Sequence, residues 1–130
     1  MNKKGPDMRI GVDMVSISQV NHALSLSPGL MSRIFSPRER KYAERMAVSR
    51  ASEFLSGRFA AKEAVLKAMR VRALDAVAFC DIETNIGDGG SPELLLSASA
   101  LRASEMLNVS RWQVSISHEK GFALAFVVAY

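Results

Sequence analysis

The sequence has one cysteine, two histidines and four prolines, and each scarcity excludes something. A lone Cys80 cannot staple the chain with an internal disulfide and suits a reducing cytosol, so a cytoplasmic location is expected. His22 and His118 are too few and too far apart for a Cys/His zinc cluster. No apolar run approaches the roughly 20 residues that cross a bilayer, so no membrane partner is expected. The basic opening, Met1–Asp7, leads into a short alternating segment and not into the apolar stretch of a signal peptide. Internal repeats, low-complexity tracts and Pro/Ser-rich linkers are absent. The expected organisation is a loose leader over residues 1–8 and a single domain over 9–130.

Hydrophobic residues make up 48% of the chain and charged residues 23%, which is the composition of a folded globular protein. The formal net charge of +4 favours an anionic partner: nucleic acid, a phosphorylated metabolite or an acidic protein. Nucleic acid has only basicity in its favour. The cationic stretch from Arg38 to Arg45 also carries Glu39 and Glu44, and there is neither an aromatic stacking array nor a reader motif.

Alternation over Arg9–Val15 predicts a strand that hands over to a helix near Ser16–Leu26. Pro28-Gly29 is a turn signal. Ser36, Pro37 and Glu39 form a helix start, with a capping hydroxyl, proline at the first position and glutamate at the third. The longest helix is predicted from Ser49 or Ser52 to Met69, rich in Ala, Leu, Glu and Lys. Ala78–Ile86 and Glu93–Leu96 read as a hairpin around a Gly-rich turn. Ser99–Leu107 reads as a short helix, and Trp112–Ser117 and Phe122–Val128 as two closing strands joined by a tight turn at 118–121. The last strand alternates large residues with Ala123, Ala125 and Ala129, a small face that lets a helix or another subunit approach closely. The fold class is α+β, with helices packed on a small antiparallel sheet.

On a wheel of about 100° per residue from Leu55, Lys62 falls at about 340°, inside the apolar arc of Leu55, Phe59, Leu66 and Met69. Glu63 lies near the edge at about 80°, with Lys67 beside it at about 120°. Glu63 and Lys67 have the spacing of an ordinary surface ion pair, and a lysine on an apolar stripe can snorkel. Neither reading explains three cations, Arg58, Lys62 and Lys67, gathered around one glutamate on an alanine-rich helix. That pattern points to negative charge arriving from outside. Asp13 is a second anomaly, because aspartate is depleted in strands. It either caps the following helix or stands at a strand end where a ligand is met. Two carboxylates plus substrate phosphates are how magnesium is usually held, which makes Asp13 and Glu63 a candidate metal pair. Ser115–His118 ends a strand with hydroxyls and an imidazole that could reach a phosphate.

Together these segments resemble the holo-acyl-carrier-protein synthase family, the small type of 4'-phosphopantetheinyl transferase. The matching residues are Gly11-Val12-Asp13, the stretch from Phe54 to Ala64 with Lys67, Asp81-Ile82-Glu83, the turn ending at Pro92, and Val114–His118 followed by Ala123 and Ala125. The resemblance implies Mg-dependent transfer of the phosphopantetheine arm of coenzyme A to a serine of an apo acyl carrier protein, as in fatty-acid or polyketide synthesis, with release of adenosine 3',5'-bisphosphate. It implies Asp13 and Glu63 as ligands of magnesium, with manganese as an alternative, and Lys67 at the leaving phosphate. It places Arg58, Lys62, Ser117 and His118 on coenzyme A phosphates and Pro92 beside the nucleotide. It also implies a homotrimer with active sites at subunit interfaces, for which the Ala-rich strand face suits close association. Two departures stand out. A Gly-Thr-Gly turn that follows the catalytic helix in many relatives is replaced by Met69–Ala73, which admits a non-catalytic coenzyme A- or carrier-binding relative as the alternative. The first helix carries Gln19, Asn21 and His22 where relatives often place a basic residue, so carrier docking is expected at Gln19 and His22 or shifted to Arg33, Arg38 and Arg40.

Overall fold

A 22-residue helix without proline, rich in alanine and leucine, forms the axis around which the other elements pack. The computed structural model describes residues 7–70 and 76–130. The chain runs β1 (Arg9–Ser16), α1 (Ile17–Leu26), α2 (Leu30–Ile34), α3 (Pro37–Glu44), α4 (Val48–Met69), β2 (Ile82–Ile86), β3 (Pro92–Leu96), α5 (Ala98–Met106), β4 (Trp112–Glu119) and β5 (Phe122–Ala129). Short 3-10 turns occupy Phe79–Asp81 and Asp88–Gly90. The expected leader over 1–8 and the substituted turn after α4 fall largely at 1–6 and 71–75, outside the described residues.

β1, β5 and β4 form an antiparallel sheet in that spatial order, and β2 and β3 form a separate hairpin. α4 lies across the first sheet. Its close seating depends on Gly11, where an added Cβ would stand 1.9 Å from the carbonyl oxygen of Ala64. Strand backbone therefore rests directly on helix backbone, which requires both the glycine and the alanine-rich helix face. Ala123, Ala125, Val127 and Ala129 are fully buried on the same side of the sheet. The small-residue face is thus covered by the chain's own helix and is not free for a second subunit. The opposite face carries Ile10, Val12 and Met14 of β1 with Phe122, Leu124 and Phe126 of β5, all exposed.

The end of α4 is closed by Arg70, which adopts the left-handed conformation (φ 59°), and by Arg9, whose Nη1 donates to the carbonyls of Ala68 (3.2 Å) and Met69 (3.3 Å). A cation at a helix C-terminus satisfies orphan carbonyls and complements the helix dipole. At the other helix ends, Ser36 and Glu39 form the expected capping box of α3, and Ser16 Oγ accepts from the Gln19 amide to cap α1. Two expectations are corrected. Ala78–Asp81 is not strand, because its polar groups are used elsewhere: the Phe79 carbonyl accepts from Lys62, the Ala78 amide donates to Ser99 Oγ, and Asp81 accepts from the Ser99 amide. The closing hairpin turns only at Lys120-Gly121, both at positive φ (48° and 82°) as a two-residue turn requires, so His118 belongs to β4.

Candidate active site

β1 and α4 together place three charged side chains in one spot. Asp13 projects from the middle of β1 onto the α4 side, in the same alternation as Gly11 and Val15. It is neither a helix cap, a role taken by Ser16, nor at a strand end. Its Oδ1 stands 2.9 Å from Lys67 Nζ, which also donates to the Val12 carbonyl at 3.1 Å. The Asp13 side chain is 16% exposed and that of Lys67 is 54% exposed. Glu63, one helical turn before Lys67, is half-buried. Its carboxyl is pushed above the usual range, first by burial and then by the charge of Asp13, with Lys67 opposing. Two partly buried carboxylates that repel one another are an arrangement that a divalent cation relieves. Among the described residues no group of three or more His, Cys, Asp or Glu side chains is placed to hold a metal ion. An ion here would take two protein carboxylates and complete its shell with water and phosphate oxygens, which suits magnesium.

The three cations of α4 do not converge on Glu63. Lys62 is fully buried on another side of the helix, where its ammonium donates to Glu39 Oε1 (2.8 Å), to the Phe79 carbonyl (3.0 Å) and to the Ile82 carbonyl. An ammonium has three donors, and all three are used within the chain. The expectation that Lys62 holds a coenzyme A phosphate is corrected accordingly: the anion that meets this buried cation is Glu39. Burial pulls the Lys62 pKa down and Glu39 opposes the shift. Arg58, one turn earlier, is also buried and stacks its guanidinium 4.0 Å over the Phe54 ring. Its pKa is lowered by burial against the attraction of Glu39. No carboxylate lies within ion-pairing distance among the described residues, and Nε has no hydrogen-bond partner.

The remaining expected residues are dispersed. His118 sits one row along from Asp13 and two strands away, on the same sheet face, opposite Ala123, which is itself opposite Val15. A Cβ at Gly57 would stand 2.9 Å from Ile116 Cγ2 and 3.1 Å from His118 Nε2, so the glycine lets β4 and its imidazole pack closely on α4. His118 lines a groove of about 540 Å³ with Asn21, Ser49, Ser52 and Glu53. Ser117 points to the opposite, apolar face of the sheet, since neighbours on a strand alternate; the structure separates it from His118. Pro92 opens β3 on the separate hairpin. Gln19 and His22 are exposed on α1 and Arg33 on α2, while Arg38 Nη1 pairs with Glu83 at 3.3 Å. Gln19 borders an apolar groove of about 340 Å³ that also takes in Met14, Val15, Leu24 and Phe59.

Sequence reasoning named Gly11 without its packing role, and missed Arg9 and the second role of Glu39. A glycine inside a strand pattern was the available signal for close backbone approach. The partner of Lys62 was hidden because Glu39 was already explained as a capping residue.

The sequence and the fold have known counterparts. Residues 9–127 match the model of the family described as the 4'-phosphopantetheinyl transferase superfamily, and the chain belongs to that superfamily. Among its relatives, a holo-[acyl-carrier-protein] synthase of Frankia alni is 36% identical over 120 residues, covering 92% of this chain and 94% of the relative. One of Bacillus mycoides is 37% identical over 119 residues, with 92% of each chain covered. The fold superposes on a holo-(acyl-carrier-protein) synthase of Bacillus anthracis in complex with CoA (3',5'-ADP) with a TM-score of 0.78 at 36% identity, covering 95% of this chain and 97% of that one. The Neisseria meningitidis holo-[acyl-carrier-protein] synthase gives a TM-score of 0.84 at 31% identity, covering 94% and 97%.

Proposed function

We propose that the chain transfers the 4'-phosphopantetheine arm of coenzyme A to a serine of an apo acyl carrier protein and releases adenosine 3',5'-bisphosphate. The observation that carries this reading is the meeting of Asp13 and Glu63, from two elements held in backbone contact, with Lys67 ion-paired at the same spot. Asp13 and Glu63 would hold Mg2+, with Mn2+ as an alternative; the ion would supply charge neutralisation on the diphosphate. Lys67 hangs at the rim of the pair and can swing from Asp13 to a leaving phosphate oxygen. The attacking hydroxyl belongs to the carrier, so the chain needs charge and placement more than a nucleophile of its own. Arg58, a buried cation with no carboxylate partner among the described residues, and His118, facing a groove, are the remaining groups suited to phosphate oxygens, and Pro92 would border the nucleotide.

The exposed apolar sheet face is the surface for self-association, because contiguous apolar patches mark interaction sites. A homotrimer formed through Ile10, Val12, Met14, Phe122, Leu124 and Phe126 would bring a neighbour against the edge strand β1, around whose free edge it would reach Asp13 on the other face and complete the active site. The net charge of +4 suits an acidic carrier, with Gln19, His22 and Arg33 on the exposed surfaces of α1 and α2. No helix of the described residues is long and apolar enough to cross a membrane, and a free Cys80 goes with a cytoplasmic setting.

The test is to incubate the chain with Mg2+, coenzyme A and a panel of apo carriers, then measure carrier mass. A gain of one phosphopantetheine unit on at least one carrier is expected. Coenzyme A binding with no product on any carrier would overturn the assignment in favour of a non-catalytic relative.

A further inference from the structure

We infer that Lys62 and Glu39 form a buried clamp that fixes the rotation of α4 about its axis and so positions Glu63, which makes Lys62 a positioning residue for the transfer. This rests on the reading of Glu63 as a metal ligand given above.

The clamp joins three elements through one carboxylate. Glu39 Oε1 accepts from the Ser36 amide at 3.0 Å and from Lys62 Nζ at 2.8 Å, while Oε2 accepts from the Thr84 amide at 3.1 Å. Lys62 Nζ adds the carbonyls of Phe79 and Ile82. The start of α3, the middle of α4 and the beginning of β2 are therefore tied at a single buried point, with Glu39 1% and Lys62 0% exposed. Around it, Ser36 Oγ donates to Glu83 Oε1, and Arg38 pairs with the other Glu83 oxygen.

The placement of this point on α4 gives it its effect. Lys62, Glu63 and Ala64 are successive residues, so they radiate from the helix about 100° apart. Ala64 presses its carbonyl against Gly11 of β1, and Lys62 is gripped by α3 and β2. Glu63 projects between these two fixed contacts. A helix with side chains reaches roughly 5–6 Å from its axis, so a rotation of about 10° moves a carboxyl by about 1 Å. Misplacement of that size costs on the order of a hundredfold in rate. An apolar pair could fill the same space with equal or greater stability, but it has no direction. Three hydrogen bonds from one ammonium to three fixed oxygens do.

The discriminating experiment uses the full chain with Mg2+, coenzyme A and an apo carrier, and compares Lys62→Met, Glu39→Leu and the double variant. Each single variant leaves an unpaired buried charge or a cavity and loses thermal stability. The double variant regains a thermal midpoint close to the parent's, because the buried charges go together. Its kcat stays between about ten- and a hundredfold below the parent's, and its affinity for Mn2+, read by water-proton relaxation in the presence of coenzyme A, is weakened, while KM for the carrier is unchanged. A double variant that regains both its midpoint and its kcat overturns the clamp as a positioning device. Should the double variant not fold, Lys62→Arg decides. It keeps the charge but cannot direct donors to the same three oxygens, so a lowered kcat in a folded protein supports the clamp and an unchanged kcat overturns it. A parent chain that transfers nothing counts against the proposed function; Mn2+ affinity alone then judges the clamp, weakened in the variant supporting it and unchanged overturning it.

Discussion

A methyl group placed on Gly11 would lie 1.9 Å from the carbonyl oxygen of Ala64. Two residues on, Asp13 leaves the same face of β1; one residue before Ala64, Glu63 leaves α4. The separation of the two carboxylates is therefore set by a backbone contact that tolerates no side chain. Gly11→Ala is expected to push β1 away from α4, lowering stability by about 1–3 kcal/mol and the thermal midpoint by on the order of 5 °C. Because the carboxylates separate with the backbones, Mn2+ affinity should fall as well. A midpoint and affinity equal to the parent's would show that the sheet can shift at no cost.

In the proposed reaction Lys67 acts on the leaving phosphate and only secondarily as a partner of Asp13. Lys67→Met should lower kcat by about a hundredfold, the scale of a lost electrostatic contact to developing charge, with little change in the thermal midpoint because exposed ion pairs contribute less than about 1 kcal/mol. Steady-state kinetics beside a melting curve separate these effects. A loss of stability without a loss of rate would reverse the assignment.

Glu63 predicts a pH dependence of defined sign. Its pKa is raised in the fold by burial and by Asp13, so the folded state holds that proton to higher pH than the unfolded chain does. Stability from this group is present below the ordinary carboxylate pKa and is lost as pH rises through the raised value. In the presence of a chelator, Glu63→Gln should therefore melt higher than the parent at pH 7, and the difference should shrink as the solution is acidified towards the carboxylate range. The same variant should lose transfer. Equal melting at pH 7 would show that Glu63 is not held at a cost.

The apolar sheet face supplies a prediction about assembly. Phe126→Asp places a charge among Val12, Leu124 and their neighbours on the exposed side, leaving the buried side of β5 untouched. Light scattering should show a shift from trimer to monomer, and transfer should fall with it if a neighbour completes the site. A parent chain that is already monomeric and active would remove the trimer from the account.

Much of this architecture was legible locally. The capping box at Ser36, the extent of α4 and the closing hairpin follow from propensity, capping and alternation within a few residues of each other. What was not legible depends on distant partners. Alternation in β5 announced two apolar faces but not which one lies inside; Gly11, more than a hundred residues earlier and next to α4, selects the small one. Ala78–Asp81 continued a strand-like pattern, yet Lys62 and Ser99 take its polar groups. Asp13 was legible as an anomaly, because aspartate is depleted in strands, and the structure sets it close enough to Glu63 to raise the Glu63 pKa. Lys62 looked like part of the same site, while its actual partner Glu39 lay 23 residues away and was already explained as a capping residue.

The most direct test of the central claim is the mass of an apo carrier after incubation with coenzyme A and Mg2+, run in parallel for the parent, Asp13→Ala and Glu63→Ala. A gain of one phosphopantetheine unit is expected with the parent and none, over the same time, with either variant, both of which should remain folded. Full conversion by both variants would contradict the carboxylate pair as the centre of the site.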